Sequence, residues 1–205
     1  NALYFNINAR LGLMEIESGI RAEYTKNSQS NQNEEGYLNL FPSVNISGCI
    51  NNHLTLFASY NRRINRPTIS MLTPFTDEYA DVLNMNQGNP ELKPEYVNSH
   101  EAGSRFVFKP VSGFFSAYYR NIDKAISRIK FATNDSAFVG SFKNLDKAKL
   151  FGGEFAIYFK PFQWWNINTS ANIFYTFLTG EYGYNDVNTR KTGWNINISN
   201  QLRFP

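Results

Sequence analysis

The sequence predicts an all-β protein, an antiparallel up-and-down sheet that forms part of the wall of a transmembrane β-barrel. Three observations lead to this fold class. Polar and apolar residues alternate along long segments, short turns alternate with longer polar connections, and aromatic residues account for 16% of the 205 residues. A period of two is the pattern of a strand whose two faces meet different surroundings, and aromatic residues favour strands.

The alternation is clearest between residues 193 and 204, where one face is apolar and the other consists mainly of Asn, Ser and Gln. The apolar residues are Trp194, Ile196, Ile198, Leu202 and Phe204, and only Asn200 breaks the pattern. Similar alternation covers much of 38–60 and 155–177. An ordinary water-exposed sheet would carry more Lys and Glu on its polar face, so this composition favours a barrel wall over a soluble sheet.

Turns and connections divide the chain into about nine strands. The predicted strands are 2–9, 13–26, 37–50, 53–66, 97–109, 114–130, 143–160, 164–180 and 191–204. Short turns are predicted at 51–52, 110–113 and 161–163, and longer connections at 27–36, 67–96, 131–142 and 181–190. Outer-membrane barrels have short periplasmic turns and long extracellular loops, so the long connections are expected to face the outside. A periplasmic aromatic girdle is expected from Phe108, Phe114, Phe115, Phe159, Phe162, Trp164 and Trp165.

An odd number of strands cannot close into a barrel by antiparallel pairing, because the first and last strands run in the same direction, and most bacterial barrels have an even number of strands. Open edges within hydrocarbon would leave backbone donors and acceptors unpaired at a high cost in free energy. We therefore expect residues 1–205 to form a single partial barrel domain that the rest of a longer protein completes. Residues 1–2 are consistent with the remnant of an expression tag.

The most specific motif runs from Arg62 to Tyr96. It begins with Arg62-Arg63-Ile64-Asn65-Arg66-Pro67 and ends with Gly88-Asn89-Pro90-Glu91-Leu92-Lys93-Pro94-Glu95. Its prolines remove backbone donors and favour extended conformations at the preceding residues, so the segment is predicted to be a long ordered loop. A strand that ends in a tyrosine and basic residues, followed by Arg-Pro, a long loop and a GNPxLKPE sequence, resembles the barrels of TonB-dependent receptors, particularly the Bacteroidetes type.

This resemblance implies active transport across the outer membrane of a Gram-negative bacterium. In such receptors a plug domain fills the barrel, loops and plug capture a nutrient such as a siderophore or an oligosaccharide, and the TonB complex releases it inward. No plug domain and no TonB-binding segment are recognisable in residues 1–205. The expected partners are the remaining barrel strands, the plug domain, the TonB complex through the N-terminal part, a small-molecule or glycan ligand, and outer-membrane lipid and lipopolysaccharide.

Candidate ligand contacts lie in and beside the connection 67–96. Aromatic and thioether side chains can pack against a ligand, and guanidinium groups can pair with an acidic ligand or with lipopolysaccharide phosphates. The candidates are Arg62, Arg63, Arg66, Phe75, Tyr79 and Met85. For the arginines, hydrogen bonding to neighbouring strands or to the plug is an equally good interpretation. A soluble β-sandwich binding domain and a passive porin-like channel are the alternative functions.

Catalysis, cofactors and metal ions are not predicted. His53 and His100 stand in separate strands without the spacing of a metal site or a catalytic triad. The acidic residues Asp77, Glu78 and Asp81 fit a solvated loop tip better than a cation site. The net charge is only +3, from 20 basic and 17 acidic residues, and the absence of a basic run argues against nucleic acid as a partner.

Overall fold

The computed structural model describes residues 2–26, 36–74, 84–132, 138–182 and 185–203, and this part of the chain forms ten strands and one short helix. The strands are β1 (Ala2–Leu11), β2 (Met14–Lys26), β3 (Gly36–Asn51), β4 (Leu54–Asn65), β5 (Asn84–Asn86), β6 (Glu95–Phe108), β7 (Val111–Ala132), β8 (Phe138–Phe162), β9 (Trp165–Tyr182) and β10 (Asn185–Leu202). Helix α1 (Ile69–Leu72) lies between β4 and β5. The prediction of an all-β antiparallel barrel wall is confirmed.

The strands form one open sheet in the order β1-β2-β3-β4-β6-β7-β8-β9-β10, so each long strand pairs with its neighbours in the chain. Within the described ranges no pairing joins β1 to β10. A β-sandwich would require a second sheet packed on the first, whereas all the described strands belong to a single sheet. The described residues contain no helix that is long and apolar enough to cross a membrane.

Cross-strand registers place apolar and polar residues on opposite faces, as the alternation predicts. Ile173 pairs with Trp194, and the adjacent pair of Asn172 and Asn195 lies on the other face. Ile173 is 60% exposed and Ile196 is 57% exposed. A whole sheet face of exposed, large apolar side chains is what a lipid-facing surface requires.

An aromatic row crosses five neighbouring strands at the end of the apolar face away from the short turns. In succession, Tyr60 pairs with His100, then Tyr119, Phe151 and Tyr175. The ring centroids of Tyr60 and His100 are 4.9 Å apart, and those of Tyr119 and Phe151 are 4.8 Å apart. Aromatic belts of this kind mark the boundary between hydrocarbon and headgroups, so this row is the outer boundary of the apolar band.

A second aromatic cluster lies at the short turn after β8. The rings of Phe162 and Trp164 stack with centroids 5.3 Å apart, and those of Trp164 and Trp165 with centroids 6.1 Å apart. From Trp165 to Tyr175 the strand rises about 33 Å, or about 25 Å of height at a tilt of about 40°. This height agrees with the apolar band of an outer-membrane barrel.

Two predicted connections are too long. The paired strands β7 and β8 extend into the predicted connection 131–142, and β9 and β10 extend into the predicted connection 181–190. Only short stretches therefore remain between the strands of each pair. Polarity indicates a loop when a sheet covers a core. Above a membrane, however, both faces of a hairpin can meet water while the backbone ladder stays paired, so polar residues do not end the strand.

Two further differences concern single elements. The short strand β5 lies inside the predicted connection 67–96 and was not predicted. It pairs in parallel with the start of β8. Phe114 was expected in the periplasmic girdle, but it pairs with Arg105 and Ala156 on the polar face. Phe114 and Phe115 are consecutive in one strand, so only one of them can face lipid.

Candidate functional site

The connection between β4 and β6 is closed at its base by backbone hydrogen bonds. The N–H of Gly88 donates to the carbonyl of Thr73 at 2.9 Å, and the N–H of Asn89 donates to the carbonyl of Met71 at 2.7 Å. These bonds join the two limbs of the connection on either side of residues 75–83. Gly88 permits this close approach, because a Cβ at that position would overlap the carbonyl oxygen of Thr73.

Residues 87–95, hereafter the docking segment, are fastened to the hairpin of β7 and β8. The side chain of Asn144 accepts a hydrogen bond from the N–H of Lys93 at 2.8 Å and donates to the carbonyl of Lys93 at 2.8 Å and of Lys124 at 2.7 Å. The side-chain amide of Asn89 donates a hydrogen bond to the backbone carbonyl of Phe142 at 2.9 Å. The GNPxLKPE sequence therefore works here as an attachment between a loop and a strand pair.

The three predicted arginines occupy different positions. The guanidinium of Arg66 donates to the carboxylate of Glu23 at 2.7 Å. The guanidinium of Arg62 lies 5.3 Å from the ring centroid of Tyr96. Arg63 is exposed and follows Arg62 in β4, so its side chain leaves the strand on the opposite face. The structure thus places Arg62 against Tyr96 of β6 and Arg66 against Glu23 of β2, while all three arginines remain exposed.

The remaining predicted contacts are Phe75, Tyr79 and Met85. Met85 is half-buried in β5, where it pairs with Val139 of β8. Phe75 and Tyr79 lie outside the described residues, so their role in ligand binding stays a prediction. Met85 is the one of these three that the structure places, and it stands directly beside the β7–β8 hairpin.

A groove of about 570 Å³ lies on the polar face and was not predicted from the sequence. Its charged lining residues are Glu15, Glu17, Glu101, Arg105 and Glu154, and Phe57 and Phe114 also line it. The guanidinium of Arg105 lies 4.7 Å from the ring centroid of Phe57. Four carboxylates against one guanidinium give the described lining an excess of negative charge.

The residues of this groove come from β2, β3, β4, β6, β7 and β8, so no spacing along the chain connects them. A signal was nevertheless present, because Glu15, Glu17, Glu101 and Glu154 each interrupt a polar face that is otherwise rich in Asn, Ser and Thr. Acidic residues at such positions indicate a charged lumen rather than general solubility.

The described residues offer no metal centre, since no group of three or more His, Cys, Asp or Glu among them could hold an ion. The ring of His53 stacks on Phe108, and His100 belongs to the outer aromatic row. The acidic residues of 77–81 lie outside the described residues. Both histidines therefore contribute to aromatic packing at the two ends of the apolar band.

The open sheet, with an apolar band on one face and polar side chains on the other, defines a wall of an outer-membrane barrel. The chain belongs to the outer membrane protein β-barrel family, whose model matches residues 1–205. This confirms the prediction that the chain is part of a β-barrel of the outer membrane. No curated protein sequence matches the chain.

Solved structures share the fold at low sequence identity. The siderophore receptor PirA from Pseudomonas aeruginosa aligns with a TM-score of 0.65 and 16% identity, over 100% of this chain and 42% of that chain. The FrpB iron transporter from Neisseria meningitidis gives 0.59 and 14%, over 94% of this chain and 32% of that chain. The copper transporter OprC gives 0.61 and 13%, over 89% and 33%. The chain thus spans well under half the length of these proteins.

Proposed function

We propose that this chain is the barrel-wall portion of an outer-membrane receptor that actively imports a nutrient and is powered by a TonB complex. The main support is the difference between the two faces of the sheet. One face carries a lipid-facing apolar band, and the other is polar and carries a charged groove that would open into the lumen. Proteins described as a siderophore receptor, an iron transporter and a copper transporter share this wall. Catalysis has no role in the proposal.

The groove supports the presence of a separate domain inside the barrel. Its excess of carboxylates attracts a surface that carries lysine or arginine, and charges in a partly enclosed lumen interact more strongly than charges in bulk water. We assign this partner to the plug domain of the full protein. A passive channel would instead leave the groove open to water and to passing solutes.

Ligand capture is assigned to the connection between β4 and β6. Phe75, Tyr79 and Met85 would pack against the ligand, and Arg63 would pair with its acidic groups. Arg62 and Arg66, which contact Tyr96 and Glu23, would hold the base of the connection in place. The ligand class is a small molecule such as a siderophore or an oligosaccharide.

Energy dependence tests the function. In cells that lack the full-length protein, we expect uptake of one labelled probe from a panel of ferric siderophores and oligosaccharides to fall to background. Re-expression should restore it, and a protonophore should abolish the restored uptake. Restored uptake that persists with the protonophore would assign the protein to passive channels. If no probe depends on the protein, the proposal of a nutrient receptor is wrong.

Excision of residues 75–83 tests the capture site. Joining residues 74 and 84 with a short Gly-Ser linker leaves the docking segment in place, so the barrel should assemble while binding of the probe weakens at least about tenfold. The matched control replaces residues 133–137 with an Asn-Gly turn, which shortens a neighbouring hairpin and should leave binding unchanged. If the excised protein binds the probe with native affinity, residues 75–83 are not part of the ligand site.

A further inference from the structure

The membrane-facing surface of β7 to β10 changes from uncharged to positively charged directly beyond the outer aromatic row. Between the two aromatic clusters, the outward positions of these four strands carry no charged residue. The next row on this face lies beyond the outer aromatic row, on the side away from the short turns. In that row Lys149 pairs with Phe177, which pairs with Arg190. Lys147 lies two positions further along the same face of β8. These three residues, hereafter the cationic cluster, are all exposed.

The spacing within the cationic cluster suits groups larger than one simple ion. Lys149 and Arg190 are two strands apart, which is about 10 Å, and Lys147 is about 7 Å from Lys149 along β8. The guanidinium of Arg190 lies 5.3 Å from the ring centroid of Phe177. This ring lies between the two cations in the row, so an apolar surface separates them.

One carboxylate belongs to the same surface. Asp123 pairs with Lys147 across β7 and β8, and it accepts a hydrogen bond from the side chain of Asn121 at 3.2 Å. Across β7 to β10, the first two rows outside the aromatic row therefore combine three cations with one anion among the side chains described. The surface retains net positive charge where the protein leaves the hydrocarbon.

We propose that Lys147, Lys149 and Arg190 bind the phosphate groups of lipopolysaccharide. The short turns define the periplasmic end, so the cluster faces the outer leaflet, whose phosphorylated glycolipid carries acyl chains for the apolar band below. Basic side chains attract such headgroups, and Lys and Arg can keep their stems on apolar surface while their charged ends reach the phosphates. The proposal goes beyond nutrient uptake and does not depend on which ligand is imported.

The test uses delipidated full-length protein in detergent, titrated with bisphosphorylated lipid A and followed by native mass spectrometry. The variant K149Q/R190Q removes two cations, and its affinity should fall about 25-fold, since each interfacial basic residue contributes about fivefold. The single variants K149Q and R190Q should each lose about fivefold, and they replace the double variant if it fails to assemble.

Two controls isolate the cationic cluster. The variant K130Q/K191Q also removes two charges, at the tip of β7 and at a polar-face position of β10, and should bind lipid A like the native protein. The charge-preserving variant K149R/R190K should retain most of the affinity. Assembly of every variant is checked by heat-modifiable electrophoretic mobility.

Three results would overturn the proposal. The first is native affinity for lipid A in K149Q/R190Q. The second is equal affinity of the native protein for dephosphorylated lipid A, which would mean that acyl chains alone account for binding. The third is displacement of lipid A by an equal concentration of inorganic pyrophosphate, which would indicate a site for free phosphate compounds.

Discussion

Glycines on the polar face make room for aromatic rings of the neighbouring strand. Tyr118 pairs with Gly152, and Phe174 pairs with Gly193. A Cβ on either glycine would overlap the facing ring. The hydroxyl of Tyr118 donates to the side chain of Asn172 at 3.0 Å, so this ring is held at both its face and its tip. Single residues thus determine the shape of the lumen wall as well as its polarity.

The facing of individual residues yields a first prediction. The substitution Ile173→Arg places a charge in the lipid-facing band, one row inside the outer aromatic row, and should destabilise the full-length protein in a bilayer by about 1–2 kcal/mol, which is between the costs at the midplane and at the interface. Asn195→Arg is the control, because Asn195 lies on the polar face of the adjacent strand at nearly the same height, and it should have little effect. Reversible urea unfolding in lipid vesicles measures both changes. Equal destabilisation by the two substitutions would contradict the assigned faces.

At the scale of elements, the attachment of the docking segment explains how a long connection stays ordered outside the barrel wall. Leu92 is only 8% exposed, although it stands in a stretch between two prolines. Its burial and the two hydrogen bonds between Asn144 and Lys93 hold the segment on a strand pair that is distant in the chain. An ordered base of this kind lets residues 75–83 be presented from a defined position.

The second prediction concerns this attachment. The substitution Asn144→Ala removes two hydrogen bonds to Lys93 worth about 1 kcal/mol each, so opening of the docking segment should become about 30-fold more frequent. Amide hydrogen exchange over 87–95 in the full-length protein measures this change. Asn195→Ala, at an exposed position of β10, should leave exchange in the segment unaltered. Unchanged protection in the Asn144 variant would mean that Leu92 and the backbone bonds suffice.

At the scale of the whole molecule, the open edges of β1 and β10 limit the stability of the isolated sheet. Both strands lack a pairing partner on one side within the described ranges, and the apolar face carries large exposed side chains such as Phe5 and Trp194. A surface of this kind is stable only next to lipid, detergent or further strands. The family match and the partial coverage of the solved relatives agree with a wall that belongs to a larger barrel.

The third prediction follows from these edges. Residues 1–205, purified alone, should require detergent or associate through their edges, because free backbone groups and apolar surface are otherwise exposed to water. Light scattering at several protein concentrations measures the association. A monodisperse, detergent-free monomer with a cooperative thermal transition would show that the sheet closes by itself, contrary to the open arc.

Sequence alone determined the number and order of the long strands, the two faces and the incompleteness of the sheet. Each of these depends on local information, since Ile196 and Asn197 must face opposite sides wherever their strand pairs. Local information also has a clear limit. Polarity suggested that 131–142 and 181–190 were connections, because no single residue shows whether a hairpin ladder continues into water.

Only the tertiary structure decided which distant residues meet. Lys93 and Asn144 are separated by 51 positions, yet they share two hydrogen bonds. The groove glutamates likewise come from separate strands, and Lys149 reaches the same row as Arg190 only through the registers of two strand pairs. Register moves residues along neighbouring strands without changing the alternation within either strand, and for that reason the pattern in the sequence predicted the faces but not the sites on them.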